Sequence, residues 1–223
     1  MEKIRGRLEH RMAGWRFAAG WLGLALLSAS AAPSAAQPTH CQTAAYDEVT
    51  LWRAAERVRW LTEELAQCPS PDAQALAYYS RGKAYIDLRD YALAVADLTQ
   101  SIALSPEDVH YDYAARAFAY LKLREPEAAI ADASEALDRE PLFAHAFNTR
   151  GIAACDLHRL TEGREDILTA IELDRDLGRA WQDFLRREGY YDGAVGGGFN
   201  AASKVALAAW CKTHRITTGP ELG

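Results

Sequence analysis

The chain has 223 residues, 49% of them hydrophobic, with 25 Lys and Arg against 31 Asp and Glu, a formal charge of −6 with histidine neutral. That length holds one domain or two small ones, and the negative balance argues against a nucleic acid or an anionic membrane surface as partner, since both reward basic patches. The four cysteines, Cys41, Cys68, Cys155 and Cys211, are dispersed, form no CxxC pair and have no histidine cluster at metal spacing, so no metal centre is expected.

The first 36 residues read as a unit of their own. Arg5, Arg7, Arg11 and Arg16 flank a short apolar run from Phe17 to Leu27, and small residues follow as far as Ala36. This is the layout of a secretory signal peptide, with cleavage after Ala36 and then Ala31 or Ala32 as the next choices. The apolar run is shorter than the roughly 17–25 residues a membrane helix needs; an uncleaved anchor is the alternative. Export leaves 20 basic and 29 acidic residues, a mature charge of −9, with the product in the periplasm and no integral span. All four cysteines fall in the exported part, which suits two disulfides in an oxidising compartment. Three pairings are open, and buried free thiols are the other reading.

Residues 37–72 form an N-terminal helical segment. Leu51, Ala54, Ala55, Val58, Leu61 and Leu65 recur at steps of three and four, the pattern of an amphipathic helix. A bond between Cys41 and Cys68 would require a bend between Ala45 and Thr50. As one straight helix the segment's ends would stand roughly 40 Å apart, whereas disulfide-linked Cα atoms lie within about 7 Å.

The centre of the chain, 73–176, is periodic. Ser80 to Pro106 matches Ala115 to Pro141 at an offset of 35, and Thr149 to Arg175 follows at an offset of 34. Gly82 recurs as Ala117 and Gly151, Leu88 as Leu123 and Leu157, Ala94 as Ala129 and Gly163, and Asp97 as Asp132 and Asp166. The aspartates are expected to be solvated or intra-repeat polar positions. Each unit resembles a tetratricopeptide repeat, a helix-turn-helix whose neighbours must stack to bury their apolar faces. The resemblance implies an all-α solenoid of helical hairpins with three repeats at about 75–109, 110–143 and 144–177. It further implies a concave surface built from the first helices, on which a protein or peptide is held. Carried onto this sequence, that groove comprises Leu76, Tyr79, Lys83, Ile86 and Asp87, then Tyr111, Ala114, Phe118, Leu121 and Lys122, then His145, Asn148, Ile152, Cys155 and Asp156. The competing reading is that Tyr79, Tyr111 and Phe118 are packing residues, and that so short an arc is filled by the chain's own C-terminal segment.

From Arg179 the pattern changes. Trp181, Gln182, Phe184 and Leu185 lie on a helix ending at Gly189; Tyr190, Tyr191, Asp192 and a glycine-rich loop follow, then a second helical run with Ser203, Ala206, Leu207 and Trp210, and finally Thr218 and Gly219. Residues 178–223 resemble the small three-helix peptidoglycan-binding-like domain of exported bacterial proteins. The sequence departs from that pattern at Gly196, Asn200, Ser203 and Cys211, and the chain stops soon after Gly219. If ligand binding survives, the resemblance points to Tyr190, Tyr191, Asp192, Asn200 and Lys204, aromatic faces for sugars and polar groups for peptide amides. A bond between Cys155 and Cys211 would pin this module to the repeats.

No constellation for catalysis emerges. The histidines are scattered, and GGG at Gly196 to Gly198 lies between helices and lacks the lysine of a phosphate loop. The sequence therefore supports a non-enzymatic, cofactor-free protein of the cell envelope. Either the repeats hold a protein while the C-terminal module contacts peptidoglycan, or the whole chain is an interaction scaffold with that module packed on the repeats and no affinity for the wall.

Overall fold

In the computed structural model, residues 53–67, 70–105 and 109–213 are described. The signal-like segment, Cys41 and Cys68, and the closing Thr218 and Gly219 lie outside them. Nine helices are present among the described residues: α1 Ala54–Leu65, α2 Pro71–Asp87, α3 Tyr91–Leu104, α4 His110–Lys122, α5 Pro126–Arg139, α6 Ala144–Asp156, α7 Leu160–Leu173, α8 Arg175–Arg187 and α9 Ala201–Thr213. The protein is an all-α solenoid of helical hairpins. No described helix is long and apolar enough to cross a membrane.

The periodic segment folds as the pairs α2/α3, α4/α5 and α6/α7, each packed on the next. Small residues bring the helices of a pair together: Gly82 lies against Leu98 and Ala94, and Gly151 against Gly163 and Ile167. Each turn inside a pair places a non-glycine residue in the left-handed region, Arg89 at φ 64°, Arg124 at φ 66° and His158 at φ 58°. The next amide reaches back five residues in every case, Asp90 to Tyr85, Glu125 to Tyr120 and Arg159 to Ala154 at 2.8–2.9 Å. These bonds satisfy the last carbonyls of the first helix.

The recurring aspartates are intra-repeat groups, and they are not solvated. Asp97 accepts from Arg81 Nε and Nη2 at 2.7 and 2.8 Å, Asp132 from Arg116 at 2.6 and 2.9 Å, and Asp166 from Arg150 at 2.7 and 2.9 Å. Asp97 and Asp132 are buried. The two-pronged bond to the carboxylate raises the pKa of all three guanidinium groups above the usual arginine value, and each bond latches one helix of its repeat to the other.

Helix α1 repeats the second helix of a pair. Arg81 Nη1 donates to Thr62 Oγ1 at 3.0 Å, as Arg116 Nη1 donates to Thr99 Oγ1 at 2.9 Å. Both threonines in turn bond the carbonyl four residues back, Val58 and Val95, at 2.7 Å. Val58, Leu61 and Thr62 thus take the roles of Val95, Leu98 and Thr99 in the following unit.

At the other end, Asp174 caps α8 by accepting from Asp176 N at 2.9 Å. Because this aspartate starts a new helix at once, α8 needs no proline break before it. The C-terminal residues share the core of the last repeat: Ile152, Cys155 and Ile167 pack in one cluster with Trp181, Phe184, Tyr191, Leu207, Trp210 and Cys211. Where three helices are expected, the described part holds α8, an ordered loop and α9, without a core separable from the repeats. A module of about 45 residues buries too little surface to stand alone.

Candidate functional site

The first helices α2, α4 and α6 pack side by side and bring the expected groove residues onto neighbouring helices. Around α2 and α4 most of these residues remain accessible, although Ala114 and Leu121 are buried in the core. Lys83 and Asp87 are exposed, with Asp87 ion-paired to Arg57 of α1. Tyr79 is half-buried, and burial, then Asp112 and Tyr111, push its hydroxyl up to about 12, so it is a neutral hydrogen-bonding group at any physiological pH. Tyr111 is 52% exposed. It heads an aromatic edge in which its ring lies 4.1 Å from His110 and 5.2 Å from Phe143, with His145 5.7 Å beyond Phe143. Phe118 carries Lys122 Nζ over its face at 5.0 Å, a cation–π contact.

Around α6 three of the five positions are closed, while His145 is exposed. Asn148 is 3% exposed and accepts from Trp181 Nε1 at 2.8 Å. Ile152 and Cys155 are buried, Cys155 is disulfide-bonded to Cys211 with a Cα–Cα distance of 5.1 Å, and Asp156 is half-buried. The groove expected over three repeats therefore keeps exposed positions on the first two, and at the third α8 and α9 cover Asn148, Ile152 and Cys155 and leave His145 at its edge. The expected bond between Cys155 and Cys211 is present.

The C-terminal candidates are used largely within the fold. Tyr191 is 6% exposed and donates its hydroxyl to the Ala194 carbonyl at 3.1 Å, so it offers no ring face to a sugar, contrary to the expectation from sequence. Tyr190 is half-buried and shares a 2.6 Å hydrogen bond with Thr213 Oγ1. Asn200 caps α9, accepting from Ser203 N at 3.0 Å. Asp192 and Lys204 are exposed. Gln182, 1% exposed, holds the glycine loop from within, donating to Gly198 O at 2.7 Å and accepting from Gly196 N at 3.0 Å.

Among known proteins, the model of the family "Tetratricopeptide repeat" matches residues 75–108. MamA from Desulfovibrio magneticus RS-1 (residues 41 to the end) is 19% identical over 75% of this chain and 89% of that one, with a TM-score of 0.55. YrrB, described as a TPR protein with an unusual peptide-binding site, is 16% identical over 77% of this chain and 74% of that one, with a TM-score of 0.50. The second TPR of Spaghetti (RPAP3), solved with the HSP90 peptide SRMEEVD, is 31% identical over 45% of this chain and 93% of that one, with a TM-score of 0.44. The chain is a tetratricopeptide repeat protein. No curated protein matches it.

Two features of this repeat protein escape a reading of its sequence. Arg81, Arg116 and Arg150 recur at the spacing of their aspartates, a signal available in the repeat alignment but without a partner until the hairpins fold. Arg175 and Arg179 flank a cavity of about 540 Å³ between α7, α8 and the glycine loop, which joins residues from three separate segments. Among the described residues, no group of three or more His, Cys, Asp or Glu converges to hold a metal ion.

Proposed function

We propose that this repeat protein is a non-catalytic interaction scaffold that holds a polypeptide segment on the open face of α2 and α4, outside the cytoplasm. The observation that carries this reading is the division of the groove. The repeat-three positions Asn148, Ile152 and Cys155 are covered by the chain's own C-terminal helices. Tyr111, Lys83 and Asp87 stay exposed, and Phe118 and Lys122 half-exposed, beside them. Aromatic faces interleaved with single charges of both signs suit an extended chain with mixed side chains. The signal-like N-terminus and a disulfide between distant helices support the extracytoplasmic setting.

Peptidoglycan contact has less support. Tyr191 is buried, Tyr190 is half-buried and Asn200, though exposed, serves as a cap, which leaves Asp192 and Lys204 as the exposed members whose side chains take no part in the fold. The test is capture from an envelope extract with the exported chain and with a Tyr111→Ser/Phe118→Ser variant. The expected result is a partner held by the former and lost by the latter while its helical circular dichroism is unchanged. Equal capture by both would defeat the groove. In a parallel sedimentation with purified sacculi the protein is expected to stay in solution; pelleting would restore the wall-binding reading.

A further inference from the structure

Outside the arc, the cavity between α7, α8 and the glycine loop has the composition of a binding site. Its charged lining is Glu172, Arg175 and Arg179, and Ile171 and Phe199 supply an apolar wall. Arg179 Nη1 stands 3.5 Å from Asp176, with both side chains largely exposed. Among the described residues no carboxylate lies within ion-pair reach of Arg175 or Glu172 of any cation.

The site is built rather than accidental. Gly178 brings α8 down on α7, since a Cβ there would lie 2.9 Å from Ile171 Cγ2 and 3.9 Å from Phe199 Cβ. Gly196 and Gly198 adopt φ of 101° and 84°, a conformation open to glycine at little cost. The buried Gln182 amide holds both, so the loop wall is fixed in place. Among the described residues no acceptor takes the N–H of Gly197 or Gly198, and such amides add anion-binding capacity to a glycine turn.

From this lining we infer that the cavity binds a short peptide carrying a free amino group and two carboxylates. Arg175 and Arg179, one helical turn apart at about 6 Å of rise, take the two carboxylates. Glu172 takes the ammonium, and Ile171 and Phe199 take an apolar side chain. Two cations and one anion in the wall match a ligand of charge −1, and about 540 Å³ lies within the roughly 300–1,000 Å³ range of small-molecule sites. The inference is independent of the arc, because none of these residues lies on α2 or α4.

Isothermal titration of the whole exported chain with the dipeptide Leu-Glu tests it. Expected are one-to-one binding, a loss of at least about tenfold on Arg175→Gln/Arg179→Gln, and weaker binding of the N-acetylated dipeptide. With Glu172→Gln the order of the two dipeptides reverses, a charge swap that no loss of folding would mimic. A Lys83→Gln/Lys122→Gln variant of the arc keeps full affinity. Absence of binding, indifference to the arginine variant, equal affinity for free and acetylated peptides, or loss in the arc variant would each overturn the assignment.

Discussion

Asp112 occupies the place held by Ala77 in the preceding repeat and Ala146 in the following one. It is 8% exposed, and its Oδ1 has no hydrogen-bond partner among the described residues. Burial pushes its carboxyl above the usual aspartate value, against the opposing pull of the Ser101 hydroxyl, its own backbone amide, His110 and Arg116; Tyr79 faces it from α2. An acid whose folded pKa exceeds its unfolded one favours folding below the unfolded value. That advantage disappears as pH rises through the folded value. Asp112→Ala is therefore expected to stabilise the protein by about 1 kcal/mol at pH 7, since it removes a desolvated carboxylate. The gain should shrink as the pH falls into the usual aspartate range. Urea unfolding of both proteins from pH 4 to 7 measures it, and a variant that is less stable at pH 7 refutes it. Residue identities were legible in the sequence to this depth and no further. The recurrence of Asp97, Asp132 and Asp166 was visible, but their burial was not. Nor can two adjacent tyrosines show which one turns inward, as Tyr191 does.

At the scale of elements, the repeat register was readable because tight helix contacts leave a period of small residues. Gly163, where Ala94 and Ala129 stand in the other repeats, acquires its reason only from the fold. A Cβ at 163 would come within 2.5 Å of Cys155 Sγ and 2.7 Å of the Gly151 carbonyl. The disulfide consumes the space that a methyl group fills in the other two repeats. Gly163→Ala should gain roughly 1 kcal/mol of helix propensity and lose more to overpacking, which costs typically 1–3 kcal/mol, because a backbone carbonyl and a bridged sulfur cannot step aside. The net expectation is a lower urea midpoint for Gly163→Ala; a higher midpoint would show that α6 and α7 separate without cost. The pairing of α1 with the first repeat was less legible, since it depends on Thr62 meeting Arg81, and a single amphipathic helix does not announce which side of a hairpin it copies.

For the molecule as a whole, the sequence suggested a separate C-terminal module, whereas the fold welds that segment to the last repeat. Three ties hold it. Trp181 is bonded to Asn148, and Trp210 lies edge to face with Trp181 and Phe184 at centroid distances of 5.0 and 5.8 Å. Cys155 and Cys211, 56 residues apart, are joined. A bond closing a loop of that length contributes about 2–4 kcal/mol, a large share of what an element the size of α9 can draw on. A Cys155→Ala/Cys211→Ala variant leaves the Trp181 hydrogen bond in α8 intact, while α9 keeps its side-chain packing and the hydrogen bonds of Ser203 to Gln182 and Thr213 to Tyr190. In a solenoid, where each unit leans on its neighbours, the loss should fall locally: α9 opens in a step of lower free energy than global unfolding. Hydrogen exchange is therefore expected to quicken in Ala201–Thr213 by about thirtyfold or more, the factor corresponding to about 2 kcal/mol. Protection in α2 to α5 should stay as it was. Uniform acceleration along all the helices would instead make the repeats and the C-terminal pair a single cooperative block. Unchanged exchange in α9 would mean that aromatic packing and the hydrogen bonds of Ser203 and Thr213 suffice to keep α9 in place.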